Sequence, residues 1–122
     1  MAHILVVGEN SSIRSLLLRA LVDAEHEIIE SDNAQEGFRL FRQRPADLVI
    51  ADIHAPEEVF LAQIQEFKTG FPEVGIIALI SPVLPFQIAC KIEETLGNSP
   101  TLVRPFDIFQ LFVLVEKALG KQ

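Results

Sequence analysis

The side chains that could do chemistry together are two carboxylates, a hydroxyl and a cation, spread along the whole sequence. Glu9 and Asp52 could ligate a hard divalent cation, and the backbone carbonyl of His54 is a third candidate ligand. Ser81 could donate its hydroxyl to one oxygen of a phosphoryl group, and Arg104 could neutralise another. An aspartate in such a setting can act as a nucleophile and take up the phosphoryl group as an acyl phosphate. These residue types are compatible with phosphoryl transfer to Asp52, provided that the fold brings them together.

Short apolar segments, each bounded by polar residues, glycine or proline, predict the β-strands that would position these side chains. Most of them lack alternation with polar residues, which is typical of parallel strands covered on both faces. Asp52 stands where the third strand is expected to leave the sheet, shortly before Pro56. The predicted strands are HILVV at His3–Val7, HEIIES at His26–Ser31, the segment from Asp47 to Asp52, GIIALI at Gly75–Ile80 and TLV at Thr101–Val103.

Helical patterns fill the intervals between the strands. Ser11 or Ser12 is expected to cap the first helix, and Asp32 or Asn33 the second, which should end before Pro45. The apolar residues at helical spacing in the first helix are Ile13, Leu16, Leu17, Ala20, Leu21 and Ala24. The remaining helices are predicted at Val59–Phe67, Pro85–Leu96 and Asp107–Leu119.

Strands that alternate with helices favour right-handed βαβ units, and therefore an α/β fold with a parallel sheet covered by helices on both faces. For five strands the common arrangement is the flavodoxin-like, doubly wound (βα)5 fold with sheet order 2-1-3-4-5. Its ligand crevice lies at the carboxyl ends of strands 1 and 3, where the strand order reverses. Gly8 and Glu9 follow the first strand, and Asp52 ends the third. The fold thus predicts that Glu9 and Asp52 meet at one crevice.

The composition bounds the class of protein. The 122 residues, of which 49% are hydrophobic, predict one globular domain over residues 1–122. A net charge of −7 argues against a nucleic-acid surface, which is normally basic. No apolar run is long enough to cross a membrane, and the first residues do not resemble a signal peptide. The single cysteine, Cys90, suits a reducing compartment, so a cytoplasmic protein is expected.

Four segments, taken in order and at their spacing, resemble a response-regulator receiver domain of the chemotaxis-regulator type. They are ILVVGENSSIRSLL, DLVIADIHAP, GIIALIS, and LVRPF with the helix that follows it, and the resemblance covers essentially the whole chain. It implies a two-component phosphorelay, in which Asp52 accepts a phosphoryl group from a histidine kinase or a phosphotransfer protein with the help of Mg²⁺. It also implies a signalling module rather than an enzyme.

Several positions differ from the receiver pattern. Gly8 replaces the first of two adjacent acidic residues, and Glu9 keeps the second with a longer side chain, so Mg²⁺ binding should be weakened. Ile80 aligns with the usual hydroxyl residue, which leaves Ser81 one position later. Arg104 replaces a lysine, and its planar guanidinium binds phosphate with a different geometry from an ammonium. The positions of the switching aromatic residue and of the glycine in the loop after the phosphoacceptor carry Thr101 and Phe60.

These departures leave two further interpretations open. One is a pseudo-receiver, a phosphorylation-independent protein-interaction module whose altered pocket no longer cycles phosphate. The other is a flavodoxin-like enzyme or cofactor binder, against which the absence of a glycine-rich nucleotide motif argues. At the level of single residues, Asp52 could be no more than a solvated strand-end carboxylate, and Arg104 could serve only to neutralise an acidic pocket.

The last helix carries more apolar residues than one buried stripe needs. A surface helix normally keeps a polar face, so the excess predicts a partner surface. The resemblance implies that the last two helices and the last strand form a dimer or output face, so a homodimer or a docked partner is expected there. The alternative is that the extra apolar residues are simply buried against the neighbouring strand. No DNA-binding helix pair follows in the sequence, so the output is expected to pass through contact with another protein and not directly through nucleic acid. The apolar residues are Ile108, Phe109, Leu111, Phe112, Val113, Leu114, Val115, Ala118 and Leu119.

Overall fold

A parallel sheet forms the centre of the computed structural model, which describes residues 2–8, 11–23, 25–53, 62, 65, 68–72, 74–80, 86, 87, 90, 91, 94, 100–103 and 107–120. Its strands are β1 His3–Val7, β2 Glu27–Ser31, β3 Leu48–Ile53, β4 Gly75–Ile80 and β5 Thr101–Val103. They form a five-stranded sheet in the order β2-β1-β3-β4-β5, and every described pairing is parallel. The predicted doubly wound, flavodoxin-like order is therefore confirmed.

Strand β3 occupies the middle of the sheet, between β1 and β4. Its apolar run, Leu48–Ala51, is at most 1% exposed at every position, because both faces of the strand are covered. The expectation that the strand leaves the sheet at Asp52 is wrong, since β3 continues to Ile53. The ladder is extended by β4, in which Leu79 pairs with Asp52 and Ile80 with Ile53.

Three helices are described over their full backbone: α1 Ser11–Asp23, α2 Ala34–Gln43 and α3 Ile108–Ala118. Asn33 caps α2, because its side-chain oxygen accepts a hydrogen bond of 2.7 Å from the backbone N–H of Glu36. Asp107 caps α3 in a capping box with Gln110. The third and fourth predicted helices lie largely outside the described residues, and the positions described within them, 62, 65, 86, 87, 90, 91 and 94, are helical.

Two apolar clusters cover the two faces of the sheet. On the face that we call the α2 face, Phe41 of α2 packs over alternate strand residues; the cluster is Leu5, Val7, Phe41, Val49, Ala51, Val74, Ile76 and Ala78. On the opposite side, the α1/α3 face, the cluster is Ile4, Val6, Leu21, Leu48, Ile50, Ile77, Leu79, Leu111 and Val115. In the part of the chain that the structure describes, no helix combines the length and the apolar character needed to cross a membrane.

Candidate functional site

The candidate site lies where the carboxyl ends of β1 and β3 run side by side. Val7 pairs with Ala51 of β3 and, on its other side, with Ser31 of β2. Gly8 follows Val7, and its backbone N–H donates a hydrogen bond of 2.9 Å to the carbonyl oxygen of Ser31. Ser31 is itself buried, and its hydroxyl donates a hydrogen bond of 2.6 Å to the carbonyl oxygen of Asn33. The end of β1 is thus held firmly against the edge strand.

Asp52 is buried within the sheet, with 3% of its surface exposed. Because side chains alternate along a strand, Asp52 lies on the α1/α3 face with Ile50, two positions earlier. Burial of a carboxylate is costly unless its charge is paired, hydrogen-bonded or bound to a metal. The interpretation of Asp52 as a solvated strand-end carboxylate therefore does not agree with its burial.

Gly8 touches Asp52 more closely than a residue with a side chain could. A Cβ atom built on Gly8 would lie 2.8 Å from the Cβ of Asp52 and 3.4 Å from its Oδ2. The backbone conformation of position 8 does not require glycine, because the φ of Gly8 is not left-handed. Among the described glycines, Gly120 has a left-handed φ. The sequence pattern treated Gly8 as the loss of an acidic ligand, and its steric role was missed. A glycine beside a strand is compatible with close backbone approach, but the distance between the two strands cannot be read from the sequence.

The other residues predicted for the site, Glu9, His54, Ser81 and Arg104, lie outside the described residues, as does Phe60. The structure therefore brings together Asp52 and Gly8 from the predicted crevice, at the ends of the first and third strands. Ile80, which aligns with the hydroxyl position of the receiver pattern, packs against the cluster on the α2 face. It does not share the face of Asp52.

The predicted donors for a metal are all oxygen atoms, namely the carboxylates of Glu9 and Asp52 and the carbonyl of His54. This chemistry fits a hard cation such as Mg²⁺, with one carboxylate fewer than two adjacent acidic residues after β1 would provide. Position 8 supplies no side-chain donor, because it is a glycine, and a Cβ added there would lie 2.8 Å from the Cβ of Asp52. Within the described ranges, no three His, Cys, Asp or Glu side chains are grouped closely enough to hold a metal ion.

A second polar contact, far from the crevice, joins α3 to the start of β2. His26 is 5% exposed, and its Nε2 lies 3.3 Å from Oε1 of Glu116. The backbone N–H of His26 also donates a hydrogen bond of 3.1 Å to the carbonyl oxygen of Leu21 in α1. His26 therefore links α1, β2 and α3. The periodicity of the sequence carries no signal for this contact, because its partners are ninety positions apart.

Comparison with known sequences points to one class of protein. No protein-family model matches the chain. The chain is 34% identical over 119 residues, 98% of its length, to the DNA-binding transcriptional regulator NtrC of Azospirillum brasilense. It is 29% identical over 115 residues, 94% of its length, to NtrC of Escherichia coli K12. The chain spans about a quarter of the length of these curated relatives, 24% in each case.

Comparison with solved structures agrees with this. The receiver domain of NtrX from Brucella abortus has a TM-score of 0.84 at 26% identity, and the match covers 98% of this chain and 99% of that one. The signal receiver domain of an HD domain-containing protein from Pseudomonas fluorescens Pf-5 has a TM-score of 0.86 at 21% identity, over 97% of this chain and 94% of that one, which supports the fold. With the strand order and the buried Asp52 of the crevice, these likenesses show that the chain belongs to the receiver domains of two-component response regulators.

Proposed function

We propose that this receiver domain accepts a phosphoryl group on Asp52 from a histidine kinase or a phosphotransfer protein. The observation that carries the proposal is the burial of Asp52 at the carboxyl end of the central strand, beside the end of β1. Ligands of wound α/β sheets bind at this switch point. In the transfer, an oxygen of Asp52 forms a bond to phosphorus while the bond from phosphorus to the donor nitrogen breaks, and the electron pair stays on the donor imidazole. The chain thus acts as a signalling module and not as an enzyme with its own substrate.

We assign the remaining roles to Glu9, His54, Ser81 and Arg104. Mg²⁺, when bound by Glu9, Asp52 and the His54 carbonyl, would neutralise charge on the phosphoryl oxygens. Arg104 would provide a second, fixed positive charge. Ser81 is the candidate hydroxyl donor because Ile80, at the usual position of the hydroxyl residue, packs on the α2 face away from Asp52.

The phosphoacceptor assignment predicts a covalent change that intact-mass spectrometry can detect. When the protein is incubated with a small acyl phosphate and Mg²⁺, its mass should rise by one phosphoryl group. The Asp52→Asn variant should show no gain, because an amide is not a nucleophile of this kind. Circular dichroism of Asp52→Asn would serve as the folding control. A gain of equal size in Asp52→Asn would place the phosphoryl group on another residue and contradict the assignment.

A pseudo-receiver is the second candidate, and the absence of an acidic side chain at position 8 favours it. A site that lacks one acidic group holds a divalent cation less readily, and phosphoryl transfer depends on neutralisation of charge. In this case the folded protein would gain no mass from the acyl phosphate at any Mg²⁺ concentration. It would then act as a phosphorylation-independent interaction module.

We further propose that the outer side of α3 and the strand β5 form a partner surface. Phe109 and Val113 are separated by one helical turn, and they are 69% and 49% exposed. Val103 of β5, which ends the sheet, is 49% exposed. Contact through this surface, either with a second copy or with another protein, would carry the output without direct contact to nucleic acid. We place this activity in a single domain of residues 1–122 in the cytoplasm.

The partner surface predicts self-association that depends on Phe109. In sedimentation velocity, the native protein should move from monomer to dimer as its concentration rises through the micromolar range. Phe109→Ser should remain monomeric, because it removes the most exposed apolar ring of α3. Val22→Ser, at a 50% exposed position on α1, is the matched control and should dimerise like the native protein. A native protein that stays monomeric throughout, or equal behaviour of the two variants, would contradict a homodimer through α3.

A further inference from the structure

We propose that Gly8 is a positioning residue for Asp52. The end of β1 lies so close to the Asp52 side chain that position 8 has no room for a side chain of its own. A second acidic group therefore cannot be added at position 8 without displacing Asp52. This inference rests on the proposed role of Asp52 as phosphoacceptor and names a residue that fixes its place.

The atom that excludes a side chain at position 8 belongs to the rigid part of Asp52. Contacts of Cβ atoms below 3.0 Å are essentially never observed, and a Cβ on Gly8 would lie 2.8 Å from the Cβ of Asp52. The Cβ is bonded directly to the backbone, so rotation of the carboxylate about χ1 cannot relieve the collision. The backbone of Asp52 is in turn tied to β4, since Asp52 pairs with Leu79.

Strand β1 cannot easily retreat from Asp52 either. Toward the sheet edge, Gly8 is held by its hydrogen bond of 2.9 Å to the Ser31 carbonyl oxygen. On the α2 face, the helix lies against the preceding residue, because a Cβ on Gly37 would be 2.8 Å from Cγ2 of Val7. The end of β1 is therefore confined from three sides, by β2, α2 and β3. An added side chain at position 8 must shift at least one of these elements.

The confinement can be tested with a double-mutant cycle on urea unfolding. Gly8→Ala should raise the equilibrium constant for unfolding roughly ten- to a hundredfold, the usual range for overpacking by one carbon atom. In the Asp52→Asn background, which keeps the Cβ, Gly8→Ala should raise the equilibrium constant for unfolding by the same factor. In the Asp52→Gly background, which lacks the Cβ, Gly8→Ala should raise it at most about threefold. Effects of Ala on the unfolded chain cancel in the cycle.

An equal cost of Gly8→Ala in all three backgrounds, or no cost in the native background, would overturn the proposal. If Gly8→Ala does not fold, its rescue by Asp52→Gly supports the proposal, and failure of the rescue overturns it.

A second measurement separates the positioning of Asp52 from an effect on the stability of the fold. At a temperature where circular dichroism shows Gly8→Ala fully folded, the rate of phosphoryl uptake from an acyl phosphate should fall at least roughly tenfold, because small displacements at a reacting group have effects of this size.

An unchanged rate would overturn the positioning role, even if the cycle shows coupling. If the native protein takes up no phosphoryl group, the proposed function fails and the unfolding cycle still decides the confinement.

Isothermal titration of Gly8→Asp with Mg²⁺ tests directly whether a second acidic group fits at position 8. No gain in affinity, or loss of the fold, agrees with the proposal. A gain of about tenfold, 1.4 kcal/mol, at native stability would overturn it, because the acidic group would then fit beside Asp52.

Discussion

The Ile50→Ala variant is expected to lose about 2–5 kcal/mol of the free energy of unfolding, the range measured for isoleucine or leucine truncated to alanine in closed cores. Ile50 has 0% exposure and lies in β3, between Val6 of β1 and Ile77 of β4. Neighbouring strands on both sides and helices above leave little freedom for the site to collapse around a cavity. The free energy of unfolding of a typical domain is about 5–15 kcal/mol, so this one substitution should remove a large part of it.

Urea unfolding followed by circular dichroism would measure the loss for Ile50→Ala. Val22→Ala is the matched control, because Val22 is 50% exposed on α1 and a surface truncation changes stability by no more than about 0.5 kcal/mol. The expected difference between the two variants tests whether β3 is the centre of the core. An Ile50→Ala variant as stable as Val22→Ala would mean that the packing on the α1/α3 face relaxes freely, and that the placement of Asp52 depends little on it.

The strands could be predicted from the sequence because a strand that is buried on both faces has apolar residues at consecutive positions. Leu48–Ala51 is apolar without alternation, and all of it is buried. The strand end was harder to predict. Asp52 is polar and buried in the ladder, because its partner Leu79 extends β4 equally far. The prediction assumed that a polar residue marks the end of a strand, and Asp52 does not follow this rule. Strand β3 therefore ends one residue later than predicted, at Ile53.

Contacts between distant elements could not be predicted in the same way. In α1, Leu16 and Leu21 belong to one apolar pattern, but Leu16 is 49% exposed and Leu21 is 0% exposed. Five positions on a helix are separated by about 140° around its axis, so the two side chains cannot both point into the core. The collision that Asp52 imposes at position 8 depends on the distance between two strands, which the spacing of residues along the chain does not contain.

Helix α3 gives the second large effect, because one of its residues anchors it to the sheet. Leu111 is 0% exposed and belongs to the cluster on the α1/α3 face, together with Val115 one turn later. Leu111→Ala is expected to lower the free energy of unfolding by about 2–5 kcal/mol, because the helix would lose its central contact with β-strand residues and leave a cavity beneath it. Urea unfolding gives the magnitude, and hydrogen exchange should show the amides of α3 opening most.

Val113→Ala is the control for this helix, because Val113 lies two positions from Leu111 and therefore points to nearly the opposite side. It is 49% exposed, so its truncation should change the free energy of unfolding by no more than about 0.5 kcal/mol. The two variants separate anchoring from docking: Leu111→Ala should weaken the fold, and Val113→Ala should weaken only the association through α3. Equal losses of stability in both variants would mean that the outer side of α3 is packed within the protein itself, and a partner surface there would have to be abandoned.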